Sequence, residues 1–215
     1  MKINVELENG VKLLFPTPIF HRVWSETDEI NRRLREIVLE KEREEGGVKV
    51  SNAGNAWQST PELMNWQYPE IEQLRAWIET GVLELIHVTN GLRENEFNAA
   101  VNLWAWANVT RRGGFNRSHS HPQSHWSGCY YVDVGISDPD AEDSGHFEFL
   151  DPRTGVEMMH MPHNPFGSSI LFQPEPGMMI IFPSWVRHAV LPFAGEGERI
   201  TIAFNMAFND FQASA

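Results

Sequence analysis

The sequence predicts an α+β protein, and two successive periodicities carry that reading. Up to about residue 97 the apolar residues recur at helical spacing; beyond 98 they alternate strictly with polar ones. A third observation is the punctuation of that second half, where glycine, proline and aspartate break it into short strand-like runs. Helices first and many short strands afterwards predict a sandwich or barrel with the helices laid on one sheet. The length of 215 residues suits a single domain, 1–215, with an arm and supporting helices in 1–97 and a strand-rich core in 98–210.

Taken in order, Val11–Trp24 (VKLLFPTPIFHRVW) is apolar and broken by proline, which suggests an edge strand or arm. Ser25 or Thr27 can cap a helix whose apolar face is Ile30, Leu34, Val38 and Leu39, ending at Gly46–Gly47. Residues 48–60 read as a loop. From 61 to 91 a short turn and a long helix are expected, with Ile71, Leu74, Ile78, Val82 and Ile86 on one face. Val101, Leu103, Ala105, Ala107 and Val109 then alternate with Asn102, Trp104, Trp106, Asn108 and Thr110. Further strands are expected at 126–134, 146–150, 168–172, 178–182, 189–193 and 198–206.

Twenty-nine acidic side chains against 17 basic ones give a net charge of −12, which disfavours nucleic acid and anionic membranes as partners. The one cysteine, Cys129, cannot close an internal disulfide, and no apolar run is long enough to span a bilayer. A cytoplasmic location is expected, with a small molecule or peptide as substrate. The amphipathic helix at 28–45 could serve a homodimer interface as easily as it covers a sheet.

Seven of the nine histidines fall at 119, 121, 125, 146, 160, 163 and 188. In an extended chain, residues two apart project to the same side, so His119 and His121 can reach one point. A buried strand, Met178–Phe182, and a proline break bring His188 to the start of the next strand. In 198–206 the residues Arg199, Thr201, Ala203 and Asn205 oppose an apolar face and can line a cavity, with a guanidinium that could grip a carboxylate. Trp104, Trp106, Trp126 and Trp185 are candidate walls for it. Asp151–Arg153 reads as a turn, Cys129 as a small core residue, and the loop around His160 and His163 as a lid.

The layout His119-x-His121, His188 and, with ten residues between, Arg199 resembles the signature of Fe(II)/2-oxoglutarate oxygenases. The stretches NRSHSHPQSHWSGCYYV (116–132), SGHFEFLDPR (144–153), PGMMIIFPSWVRH (176–188) and RITIAFN (199–205) are similar to a bacterial family of such oxygenases related to prolyl 4-hydroxylases, as is LFPTPIF (14–20). The resemblance implies a double-stranded β-helix, or jelly-roll, core with helices on one sheet. It implies Fe(II) held by His119 and His188, and 2-oxoglutarate held by Arg199 and Tyr131. Hydroxylases of this kind place an acid where this chain has His121. Three neutral imidazoles also leave three metal positions open, but the site keeps a full +2 charge. Either His121 is the third ligand, or another group is: His125 first, Asp133 and Glu148 after it. The same residues also resemble the half-motifs of cupins, metalloenzymes that share the jelly roll and need no 2-oxoglutarate; His125 would there be a fourth ligand. A non-catalytic jelly-roll binding module is the remaining reading.

Overall fold

The structure, a computed structural model, describes residues 5–6, 12–49, 53–136, 138–158 and 167–213. Its elements are β1 (Val5–Glu6), β2 (Lys12–Leu13), β3 (Phe20–Val23), α1 (Asp28–Glu44), β4 (Ala53–Gln58), α2 (Pro69–Asn90), β5 (Phe97–His119), β6 (Trp126–Ile136), β7 (Phe147–Leu150), β8 (Ser169–Phe172), β9 (Met178–Pro183), β10 (His188–Val190) and β11 (Glu196–Ala213). Nine strands form one curled antiparallel sheet in the order β3-β9-β6-β11-β5-β10-β7-β8, with β4 also paired to β5. The strand β5 is the hinge of this arrangement, because its first part pairs with β11 and its last residues pair with β10.

Period two explains where the cores sit. On one face of the sheet Ala105, Ala107, Val109, Ile200, Ile202, Phe204 and Met206 meet Leu34 and Val38 of α1 and Ile71, Leu74, Ile78 and Val82 of α2. On the other face Cys129, Tyr131, Ile180 and Phe182 meet Phe147 and Phe149 of β7. The strand β9 is buried along its whole length because it has apolar neighbours on both sides, which is why Met178–Phe182 shows no alternation. Gly128 is required where β6 crosses β11: a Cβ there would collide with the Phe204 ring and lie 2.6 Å from the Ile180 carbonyl oxygen.

Polar contacts fasten α1 to the sheet. The Tyr130 hydroxyl donates to Asn31 Oδ1 at 2.7 Å, and Arg35 reaches both Asp133 (2.9 Å) and Glu198 (2.7 Å). Arg111 makes a bidentate pair with Glu42 at 2.6 and 2.8 Å. Thr27 is the N-cap of α1, but its hydroxyl accepts from the Asn31 side chain (3.3 Å) instead of closing the cap.

Two sequence expectations need correction. Residues 53–58, read as loop, form the strand β4. The segment AGNAWQ has little intrinsic strand preference; pairing to β5, from Ala53 opposite Asn116 to Gln58 opposite Asn108, imposes the conformation. The strand expected at 189–193 is confined to His188–Val190, while the last strand is longer than expected and runs to Ala213. The expected lid histidines, His160 and His163, lie outside the described residues. No helix among the described residues is long and apolar enough to cross a membrane.

Candidate metal and carboxylate site

Strand register builds the site. His119 is the last residue of β5, and His188, the first of β10, is paired directly opposite it. Directly opposed residues place their Cβ atoms within roughly 4.5–5.5 Å, so 69 residues of separation are closed by one antiparallel pair. His121 follows two residues after His119 and is pinned by its own N–H, which donates to the Ser184 carbonyl at 2.9 Å. One ring nitrogen from each of the three histidines lies within 4.8 Å of the others.

The rings are held in fixed orientations. His188 stacks on Phe147 (centroids 5.2 Å apart, planes 9° apart) and meets Phe182 edge-on. Its Nδ1–H donates to the Val186 carbonyl at 3.0 Å, and the Nδ1–H of His119 donates to the Arg117 carbonyl at 2.7 Å. A carbonyl can only accept, so in both rings Nε2 keeps a free lone pair, the form a metal requires. Burial depresses all three imidazoles: His119 is lowered, His121 falls to about 4 and His188 to about 3, with neighbouring histidines adding to the effect in the last two. All three are therefore neutral at pH 7, and no proton has to leave the rings before they can act as ligands.

The rings border a cavity of about 260 Å³ whose wall also includes Gln58, Trp106, Asn108, Cys129, Arg199 and Thr201. None of the described residues lining it is aspartate or glutamate, although the chain has 29 of them. Arg199 is 3% exposed, and its Nε and Nη2 have no hydrogen-bond partner. Its guanidinium carbon sits 5.2 Å from the centre of the Tyr131 ring. The Tyr131 hydroxyl is fully buried near Arg199 and Cys129, yet makes no hydrogen bond of proper geometry. Burial raises it far above the usual phenol range and raises the Cys129 thiol to about 11, so both stay protonated.

The sequence candidates thus divide. His119, His121, His188 and Arg199 share one cavity, with Tyr131 directly behind Arg199 and outside the cavity wall. The alternative ligands lie elsewhere. His125 is exposed, and its Nδ1 accepts from the Phe208 N–H at 3.1 Å. Asp133 is paired with Arg35, and Glu148 belongs to no cluster of ligand groups. Of the four tryptophans only Trp106 borders the cavity; Trp185 is 58% exposed and Trp126 packs toward the helices. Asp151 and Arg153 form an ion pair within their own turn. Gln58 was missed because β4 was missed. The amide of Asn205, buried beside His121, was visible only as one more residue on the polar face of β11.

Residues 104–205 match the profile of a family described as "Putative 2OG-Fe(II) oxygenase". That stretch includes all three converging histidines and Arg199. The oxygenase fold extends over almost the whole chain. A prolyl-4-hydroxylase of Pseudomonas putida superposes with a TM-score of 0.63 at 16% identity, covering 90% of this chain and 94% of its own. A prolyl hydroxylase of Trichoplax adhaerens, crystallised with a peptide fragment of the hypoxia inducible factor oxygen degradation domain, gives 0.59 at 13%, covering 88% and 83%. HygX of Streptomyces hygroscopicus, crystallised with nickel and 2-oxoglutarate, gives 0.55 at 12%, covering 89% and 83%. The curled sheet with two helices on one face is the jelly roll of these oxygenases. Comparison with curated proteins finds no match.

Proposed function

We propose that His119, His121 and His188 hold one Fe(II) ion, and that Arg199, assisted by Tyr131, holds the distal carboxylate of 2-oxoglutarate, in an oxygenase acting on a small-molecule or peptide substrate in the cytoplasm. The observation that carries this reading is the buried guanidinium, with Nε and Nη2 lacking hydrogen bonds, in the same cavity as three convergent neutral imidazoles. Buried N–H donors without acceptors are costly, and a carboxylate arriving there would satisfy Nε and Nη2 together. When bound, iron and 2-oxoglutarate supply the chemistry: activation of dioxygen, with the oxoacid decarboxylated to succinate and a substrate C–H bond oxidised.

The protein's own contributions are separable. His119 and His188 present Nε2 because backbone carbonyls hold their Nδ1 protons. Phe147 and Phe182 keep the buried His188 ring from turning. Arg199 fixes the far end of the co-substrate, which leaves its oxoacid end directed to the histidines. With no carboxylate among the described residues of the wall, the ion's charge is left to be balanced by the incoming dianion. Trp106, Gln58 and Asn108 border the same cavity and would face a substrate. Among the structural neighbours, substrates of both proposed kinds occur: a peptide fragment with the Trichoplax enzyme, and hygromycin B with HygX.

The test is an anaerobic titration. Protein loaded with Fe(II) and then given 2-oxoglutarate should develop the visible metal-to-ligand charge-transfer band of a chelated oxoacid. Metal binding without that band, and without measurable 2-oxoglutarate affinity, would end the reading.

A further inference from the structure

The arginines of this acidic chain divide by position. Eight of the 13 pair with a carboxylate. Of the other five, Arg117, Arg187 and Arg199 flank or line the histidine cavity and pair with no carboxylate among the described residues. Arg199 is assigned above to the co-substrate. Arg117 and Arg187 are exposed, two residues before His119 and one before His188. Because His119 pairs with His188, the two arginines come to the same end of the β5–β10 ladder. Arg187 is tethered there. Its Nε donates to Ser118 Oγ and its Nη2 to the Ser118 carbonyl, both at 3.2 Å. A guanidinium has five N–H donors, so three stay available, and neutral acceptors leave its charge uncompensated. Ser118 precedes His119, so this cation is fixed across the strand pair that supplies two of the three proposed ligands.

The cavity behind this rim offers no opposite charge. Besides the histidines and Arg199, the polar residues of its described wall are neutral, among them Gln58, Asn108, Asn116 and Thr201. A cationic substrate would meet like charge at the rim and find no carboxylate among the described lining residues. A neutral one could bond to the amides but would gain nothing from Arg187. We propose that the substrate carries an oxyanion, a carboxylate or phosphate group, which Arg187 binds at the rim while Gln58 and Asn108 face its uncharged part. This role names the substrate class of the oxygenase reading above and rests on it. A net charge of −12 repels anions from most of the surface, so cations left unpaired beside the histidines also steer such a substrate to them.

The experiment uses Zn(II)-loaded protein with 2-oxoglutarate saturating, so that Arg199 is occupied, and probes of one shape: benzoate, phenyl phosphate, benzamide and benzylammonium. 1H–15N correlation follows the Arg187 Nε–H signal, assigned by its loss in Arg187→Gln. Benzoate and phenyl phosphate should shift it saturably and bind about tenfold tighter than benzamide, the weight of charge-assisted hydrogen bonds to a guanidinium. Benzylammonium should leave it unmoved. Comparing benzoate with phenyl phosphate shows which oxyanion the rim prefers. Arg187→Gln should lose that tenfold advantage, and Arg187→Lys, which keeps the charge, should retain most of it. The inference is overturned if neither anion moves the Arg187 signal, if benzamide binds within twofold of both anions, or if Arg187→Gln keeps their affinity. It is overturned too if Arg187→Lys loses as much as Arg187→Gln, which would make Arg187 a brace between β5 and β10. Failure of the oxygenase reading is seen separately. Fe(II) protein then gives no charge-transfer band with 2-oxoglutarate, while the same anion titration on Arg199→Met still reads Arg187 by itself.

Discussion

Replacing His188 with alanine removes the protein's affinity for divalent metal and lowers its stability at the same time. The ring is 4% exposed and packed against Phe147 and Phe182, so deleting it leaves a void among large side chains. That should cost about 2–5 kcal/mol, the range for emptying a bulky side chain from a core. The metal effect is larger, because one of only three candidate ligands disappears. The loss should exceed the roughly 10–100-fold that follows removal of a ligand's hydrogen-bond partner. Chemical denaturation of the metal-free variant reads the first effect, and a competitive metal titration reads the second. His125→Ala is the control. His125 is exposed and serves a backbone N–H, so its removal should leave metal affinity unchanged. A His125→Ala variant that lost metal would instead restore the cupin-like ligand set.

Arg199→Met should act in opposite directions on stability and on co-substrate binding. In the ligand-free protein the guanidinium is buried with Nε and Nη2 unpaired, a state that burdens the fold. An apolar side chain of similar length fills the space without that burden. Exchanging buried charge for well-packed apolar groups gains about 1–4 kcal/mol in favourable cases, and each kcal/mol raises the melting temperature by roughly 2–4 °C in a protein of this size. The same variant should keep its metal and lose 2-oxoglutarate, as measured by thermal unfolding with and without each ligand. Destabilisation together with intact 2-oxoglutarate binding would show that Arg199 is a structural residue. A functional residue that weakens the empty fold is the expected signature of a site prepared for an anion.

Much of the fold could be read in the sequence, because period-two and helical patterns are direct images of burial. The face of Ile200, Ile202, Phe204 and Met206 against the helices, and the opposite face of Arg199, Thr201 and Ala203 toward the cavity, follow from alternation alone. What alternation could not supply was pairing. His119 and His188 become neighbours only through the β5–β10 register, which β5 reaches by continuing through Gly113–Gly114. Gly113, at φ +83°, supplies a backbone conformation open to glycine there, and the segment is tied to Phe193 by backbone hydrogen bonds of 2.6 and 2.8 Å. The strand β4 was hidden for the reverse reason, since its conformation comes from its partner and not from its own residues. Asn205 was least legible: in the sequence it is one more residue on the polar face of β11, and only the fold buries it beside His121.

In the proposed site three imidazoles, with no carboxylate among the described lining residues, would be more positive than a two-histidine, one-acid face. The charge must come from the ligand, which ties metal and 2-oxoglutarate binding together more tightly than Arg199 could alone. The ligand set is the quantity on which the account stands. X-ray absorption on protein loaded with one equivalent of Fe(II) counts the imidazoles bound to the ion. Three in the wild type and two in His121→Ala are expected; two in the wild type, with a carboxylate completing the set, would contradict the account.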